Sequence, residues 1–288
     1  MSNILVTGSK GQLGLELASL ESNFQNHTFF FTDKSNLDIT NFEVVSTFVS
    51  KNNIAIVINC AAYTNVDKAE EEPILAAEIN HLAVKNLAKI ATKQQLKLIH
   101  ISTDYVFDGD SKIPYTETSE TNPQNSYGSS KLKGEQALLS INPSNSVIIR
   151  TAWLYSNYGK NFVKTILRIS EEKETISVVS DQIGSPTNAH DLASVILQMI
   201  PFVKSNGVQI YHYANTGACS WFQFAEEIVK LAKHNAKVLP ITSEAFKTPT
   251  KRPKFSLLNT AKIQEVFQLT IPHWKESLQQ AIKKLIKM

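Results

Sequence analysis

Tyr127 and Lys131 stand four residues apart in "QNSYGSSKLKGE", residues 124–135, where a helical pattern begins. On a helix that spacing puts both side chains on one face, about 6 Å apart along the axis. A free tyrosine, with a pKa of about 10, is badly matched to proton transfer near neutrality, and a nearby ammonium lowers that value by favouring the phenolate. Such a pair can act as general acid in a carbonyl reduction, protonating the alkoxide as it forms. Upstream, "HISTDYVF" ends an apolar run with Ser102, Thr103 and Asp104, and the Thr103 hydroxyl could hold the carbonyl oxygen. The same spacing also arises by accident on ordinary helices, so its meaning depends on the surrounding elements.

Those elements alternate. "NILVTG", "HTFFFTD", "IAIVINCAA", "LKLIHIST" and "SVIIRTAWLY" read as buried strands. Between them, "QLGLELASLE", "NFEVVSTFVSKN", "ILAAEINHLAVKNLAKIATKQQ" and "SSKLKGEQALLS" carry helical spacing. Strand–helix alternation with continuously apolar strands implies an α/β fold, a doubly wound, Rossmann-like parallel sheet covered on both faces. In such a sheet ligands bind at strand ends, which is where Ser102 and Thr103 fall. After about residue 155 the loops lengthen and clear strands become fewer. The expected division is a nucleotide-binding domain, 1–155 with 188–215, and a smaller C-terminal substrate-binding domain, 156–187 with 216–288.

"ILVTGSKGQLGLEL" places Gly8, Gly11 and Gly14 between the first strand and the first helix. Glycines there permit a tight turn and close approach of a pyrophosphate to the helix N-terminus. The spacing has one residue more than G-x-G-x-x-G. Asp33, after "FFFT", is placed to bond an adenosine ribose. Lys34 could instead pair with a 2′-phosphate, which favours NADPH and leaves NADH open.

The net charge of +3, on scattered lysines, gives no argument for nucleic acid. In the basic last turn, "AIKKLIKM", the lysines complement a helix dipole. Cys60 and Cys219 lie far apart, which argues against a disulfide scaffold and a cysteine zinc site, and Cys60 reads as a small buried residue. No run of about 18 apolar residues occurs to span a membrane. The N-terminus lacks a signal-peptide pattern, so a cytoplasmic location is expected. His100, inside an apolar strand, reads as a core histidine.

The combination of glycine turn, strand-end threonine and Y-x-x-x-K resembles the extended short-chain dehydrogenase/reductase family. Further motifs resemble its dTDP-4-dehydrorhamnose reductases: "LDIT" (37–40), "AAYTNVDKAE" (61–70), "STDYVFDG" (102–109), "YGSSKLKGE" (127–135), "RTAWLYS" (150–156), "DQIGSPT" (181–187) and "KRPKFSLLN" (251–259). The resemblance runs from residue 4 to about 260. It implies NAD(P)H-dependent reduction of the C4 ketone of dTDP-4-dehydro-L-rhamnose to dTDP-L-rhamnose. Tyr127, Lys131 and Thr103 would be catalytic, and Lys131 would also bond the nicotinamide ribose. The cofactor would lie along Gly8, Gly11, Gln12, Leu13 and Gly14, with Asp33 or Lys34, Asp38 and Ile39 at the adenosine end and Ala61, Ala62 and Tyr63 near ribose and pyrophosphate. Tyr105, Trp153 and Asn161 would line the substrate pocket, and Arg252 would grip the diphosphate, for which a guanidinium fork is suited. A core role for Trp153 and a surface-loop role for Arg252 are the bland alternatives.

Related dehydratases carry an acidic pair after the strand-end threonine, whereas here Asp104 is followed by Tyr105. That favours simple reduction. Some reductases of this type bind magnesium through glutamates at a dimer contact. Glu16 matches one such position, but His190 and Lys284 occupy the others, so no metal site is expected and the oligomeric state stays open. A reductase of another 4-keto sugar nucleotide, or a catalytically silent nucleotide-binding homologue, are the alternative functions.

Overall fold

The computed structural model describes residues 2–286. Residues 287 and 288, which end the expected second domain and its basic last turn, lie outside the described residues, as does residue 1. The five expected strands form as β1 (Ser2–Thr7), β2 (His27–Thr32), β3 (Ile54–Asn59), β4 (Lys97–Thr103) and β5 (Ser146–Thr151). With Val208–Tyr213 they make a six-stranded sheet in the spatial order β2, β1, β3, β4, β5, Val208–Tyr213, parallel throughout. The order reverses between β1 and β3, which opens a crevice beyond their C-terminal ends.

Successive strand residues point to opposite faces. Val6, Ile58 and Ile149 join Leu17, Leu192 and Ile196 in the core on one face. Leu5, Val57 and Ile148 join Val49, Leu87 and Leu138 in the core on the other. Burial on both faces is why these strands read as unbroken apolar runs.

Helix α1 (Gln12–Leu20) follows the glycine turn, and α2 (Phe42–Lys51) is capped by the Asn41 side chain, which accepts from the Val44 amide. The helix Ser126–Ile141 starts where Asn125 accepts from the Gly128 amide at 2.8 Å and ends at Asn142 in a left-handed conformation. A buried ion pair ties it to the sheet: Arg150 of β5 donates Nη2 to Glu135 Oε2 at 2.6 Å and Nε to Oε1 at 3.0 Å. Removing one partner of such a pair costs about 3–5 kcal/mol, because the other charge is left buried and uncompensated.

A second core gathers Tyr155, Val163, Ile166, Phe224, Ile228, Trp274 and Leu278. One stretch departs from the expected division. Ile263 and Ile271, assigned to the smaller domain by sequence, pack into the sheet's core, where the Phe267 ring meets Tyr211 of the sixth strand at 5.1 Å. Among the described residues no helix is long and apolar enough to cross a membrane.

Candidate active site

A cleft of about 920 Å³ runs over the C-terminal ends of β1, β3 and β4. At one end lies the glycine turn. Gly8 has φ +67°, and a Cβ there would meet the Ala61 amide nitrogen at 2.6 Å, so β1 and β3 approach too closely for any side chain. A Cβ on Gly14 would meet Ser9 Cα at 2.5 Å, which lets α1 press against the turn. No side chain caps α1. Its first amides are left to an anion, and this cradle fits the pyrophosphate of a dinucleotide.

Gly8, Gly11, Gln12, Leu13, Gly14, Asp33, Lys34, Asp38, Ile39, Ala61 and Ala62 all line the cleft. The structure adds Lys10, whose ammonium pairs with Asp33. Asp33 also accepts from the Ser35 amide at 2.7 Å. Lys10, together with the Ser35 hydrogen bonds, lowers the Asp33 carboxyl to about 2. Cys60 is only half-buried as a residue and lines the cleft, and burial of its thiol pushes it up to about 12.

At the other end Thr103, Tyr105, Tyr127, Lys131 and Trp153 meet. The Tyr127 and Tyr105 rings are edge to face at 5.5 Å. Burial raises the Tyr127 phenol well above its ordinary value, partly offset by the Thr103 hydroxyl nearby. The expectation that Lys131 lowers this value is therefore corrected. The Lys131 ammonium is buried, donates to the Ile101 carbonyl at 2.6 Å, and is itself lowered to about 8, chiefly by burial and against the pull of Glu135.

Thr103 Oγ1 donates to Asp104 Oδ1 at 2.9 Å and accepts from the Tyr105 amide at 3.2 Å. Burial pushes the Asp104 carboxyl up to about 7. Trp153, at φ +48°, stacks face to face on Trp221 at 3.6 Å and donates Nε1 to Ser256 Oγ at 3.1 Å. It thus serves both readings, lining the cleft while anchoring to the second core.

Three expected site residues do not line this cleft. The Tyr63 hydroxyl donates to Glu72 at 2.6 Å, and its ring packs beside Ala69 and Ala76, turned away from its neighbours Ala62 and Thr64. Asn161 caps the helix Phe162–Glu172 by accepting from the Lys164 amide at 3.1 Å, while its amide donates to the Ser156 carbonyl and Gln12. Arg252 lies in a shallow neighbouring depression that shares Tyr105, paired with Asp67 at 2.7 Å and reaching the Tyr105 hydroxyl at 3.3 Å. Asp104, Ser256 and Asp67 were not singled out as site residues. Only Asp104, next to Thr103, carried a local signal.

Away from the cleft, Glu16 is buried, accepting from Ser156 at 2.6 Å and facing His190 Nδ1 at 3.0 Å. Among the described residues no group of three or more His, Cys, Asp or Glu is arranged to hold a metal ion. His100 is fully buried, and burial holds its imidazole neutral, with Nδ1 against the Asn59 amide at 3.0 Å.

The RmlD substrate binding domain family model matches residues 1–287. The dTDP-4-dehydrorhamnose reductase of Aggregatibacter actinomycetemcomitans is 38% identical, covering 96% of this chain and 97% of its own. Among solved structures, a dTDP-4-dehydrorhamnose reductase from Clostridium acetobutylicum superposes with TM-score 0.93 at 43% identity, covering 99% of this chain and 100% of its own. The Bacillus anthracis dTDP-4-dehydrorhamnose reductase in complex with NADP gives TM-score 0.93 at 41% identity, with the same coverage.

Proposed function

The chain belongs to the dTDP-4-dehydrorhamnose reductase family, and from that premise we propose that it is an NAD(P)H-dependent oxidoreductase that converts dTDP-4-dehydro-L-rhamnose to dTDP-L-rhamnose. The observation that carries the reading is the meeting of Tyr127, Thr103 and Lys131 at one end of a cleft whose other end is the glycine turn.

The bound cofactor supplies the hydride. The residues fitted to hold it are the glycine turn with the open N-terminus of α1, then Asp38 and Ile39 at the adenosine end, with Lys34 free to pair with a 2′-phosphate. Because Lys10 and Ser35 already occupy Asp33, Lys34 supports NADPH over NADH. Tyr127, kept protonated by burial, donates its proton to the alkoxide oxygen as the C4 ketone is reduced. Lys131 braces the catalytic helix against β4 through the Ile101 carbonyl. Tyr105 and Trp153 wall the sugar, and Arg252, oriented by Asp67, offers its remaining guanidinium donors to the diphosphate.

The test is loss of NADPH absorbance, and separately NADH absorbance, with dTDP-4-dehydro-L-rhamnose supplied by coupled synthesis. Oxidation that depends on the sugar nucleotide is the expected result. Cofactor binding without any such oxidation would overturn the substrate assignment.

A further inference from the structure

Four lysines line the cleft: Lys10, Lys34, Lys131 and Lys160. Lys10 pairs with Asp33, Lys131 donates to the Ile101 carbonyl, and Lys34 stands at the adenosine end. Lys160 has no such place. It is exposed, and among the described ion pairs it has no acidic partner. It belongs to the loop 156–161, which leads into the helix Phe162–Glu172, and Val163 and Ile166 of that helix sit in the second core. The loop thus reaches the cleft from the second core, opposite the sheet.

Two side chains of α1 fix the loop in place. Gln12 and Glu16, four residues apart, share one face of that helix. The Asn161 amide donates to Gln12 Oε1 at 2.9 Å, and the Ser156 hydroxyl donates to Glu16 Oε1 at 2.6 Å. Glu16 is only 3% exposed, so the second tie is shielded from water. Within the loop, Asn161 also donates to the Ser156 carbonyl at 2.7 Å, and the Lys164 ammonium donates to the Asn157 carbonyl at 3.1 Å. Gly159, at φ +63°, lies so near α1 that a Cβ there would stand 3.2 Å from Gln12 Cγ. Lys160 is the next residue. Since Gln12 is the first residue of α1, the loop is held beside the amides left open for a pyrophosphate.

We propose that Lys160 is a ligand for the diphosphate of the dinucleotide cofactor, supplied from the second core and held at the N-terminus of α1 through Gln12 and Glu16. This rests on the reductase reading above, through its cofactor. The glycine turn offers a diphosphate backbone N–H groups and a helix dipole, while the turn's own Lys10 is held by Asp33. Lys160 adds the full positive charge that the turn lacks. A sugar nucleotide carries a diphosphate too, and Arg252, beside Tyr105, is placed for that one. The contact of Gly159 with Gln12 assigns Lys160 to the cofactor's diphosphate instead.

The test is calorimetric titration of the wild type, Lys160→Gln and Lys160→Arg with NADPH, NADH and dTDP. Both cofactors share the diphosphate, so Lys160→Gln should weaken NADPH and NADH alike, by about tenfold. The fall of NADPH affinity with added salt should become shallower in the same variant. Lys160→Arg should recover most of the loss, and dTDP affinity should stay at the wild-type value in both variants. Unchanged affinity for both cofactors would overturn the proposal, as would a loss that Lys160→Arg shares in full. A loss confined to dTDP would overturn it by giving Lys160 to the sugar nucleotide, and a loss confined to NADPH by making it a 2′-phosphate contact. Wild-type protein that binds cofactor yet reduces no sugar nucleotide would remove the reductase reading alone, because the titrations need no turnover. Wild-type protein that binds neither dinucleotide would sink both.

Discussion

Lys131 donates to the Ile101 carbonyl at 2.6 Å, and the Tyr127 phenol four residues before it on the same helix is raised by burial. On the proposed reading the phenol enters the reaction as a protonated acid. Tyr127→Phe removes that acid and little else, so kcat should fall by about 10²–10⁴. NADPH affinity measured by isothermal titration calorimetry should stay at the wild-type value. Unchanged turnover would take Tyr127 out of the chemistry.

At the opposite end of the cleft, Lys10 and Ser35 occupy the Asp33 carboxylate, while Lys34 lines the cleft with no acidic partner among the described ion pairs. A charge-assisted contact to a 2′-phosphate is worth roughly 1.5–3 kcal/mol. Lys34→Ala should therefore weaken NADPH by about tenfold or more and leave NADH unaltered. Calorimetric titration with both cofactors checks this, and equal weakening of the two would argue against a phosphate contact.

Gly184 is where the substrate end can be disturbed without replacing a cleft-lining side chain. A Cβ there would meet Trp153 Cε2 at 2.6 Å and Ser256 Oγ at 2.7 Å. Gly184→Ala should push Trp153 out of position, and a displacement of about 1 Å can cost up to about 10²-fold. The loss should fall on kcat/KM for the sugar nucleotide, with cofactor binding intact. A variant that loses NADPH binding equally would show that the change spreads through the fold.

Asp104 also predicts a pH dependence of stability. Its carboxyl is near 7 in the native state and about 3.9 in an unfolded chain. Between these values the native state binds a proton that the unfolded state does not. Stability therefore falls as pH rises from about 4 to about 7 and is level, as far as this group is concerned, above that. Asp104→Asn should flatten this part of the profile. Urea midpoints of both proteins across the range check it, and parallel profiles would mean the carboxyl titrates normally.

Strands β1, β3, β4 and β5 are legible because burial on both sides writes an unbroken apolar run, and the edge strand β2 is legible through its three consecutive phenylalanines. "VQIYHY" does not read as a strand: its Gln209 is exposed and His212 buried, so the apolar signal is interrupted. The glycine turn and the Tyr127–Lys131 pair were legible because each is built within one short segment. Gly184 and Ser256 reach Trp153 from far along the chain, and no local pattern announces them. Tyr63 and Asn161 show the converse limit. A motif places a backbone position beside the cleft, but it does not say which way the side chain turns, and here Glu72 and the Lys164 amide decide.

Trp153 and Trp221, stacked within 8° of parallel, have a consequence for how this molecule can be observed. The chain holds three tryptophans, and the third, Trp274, is buried in the same core, one aromatic ring removed through Phe224. Two stacked indoles, one of them a wall of the cleft, couple as chromophores and should contribute a near-ultraviolet signal set by their stacking. Anything that slides Trp153 along Trp221 changes that signal, so on the proposed reading a bound sugar nucleotide would be reported by the protein's own chromophores, with no label.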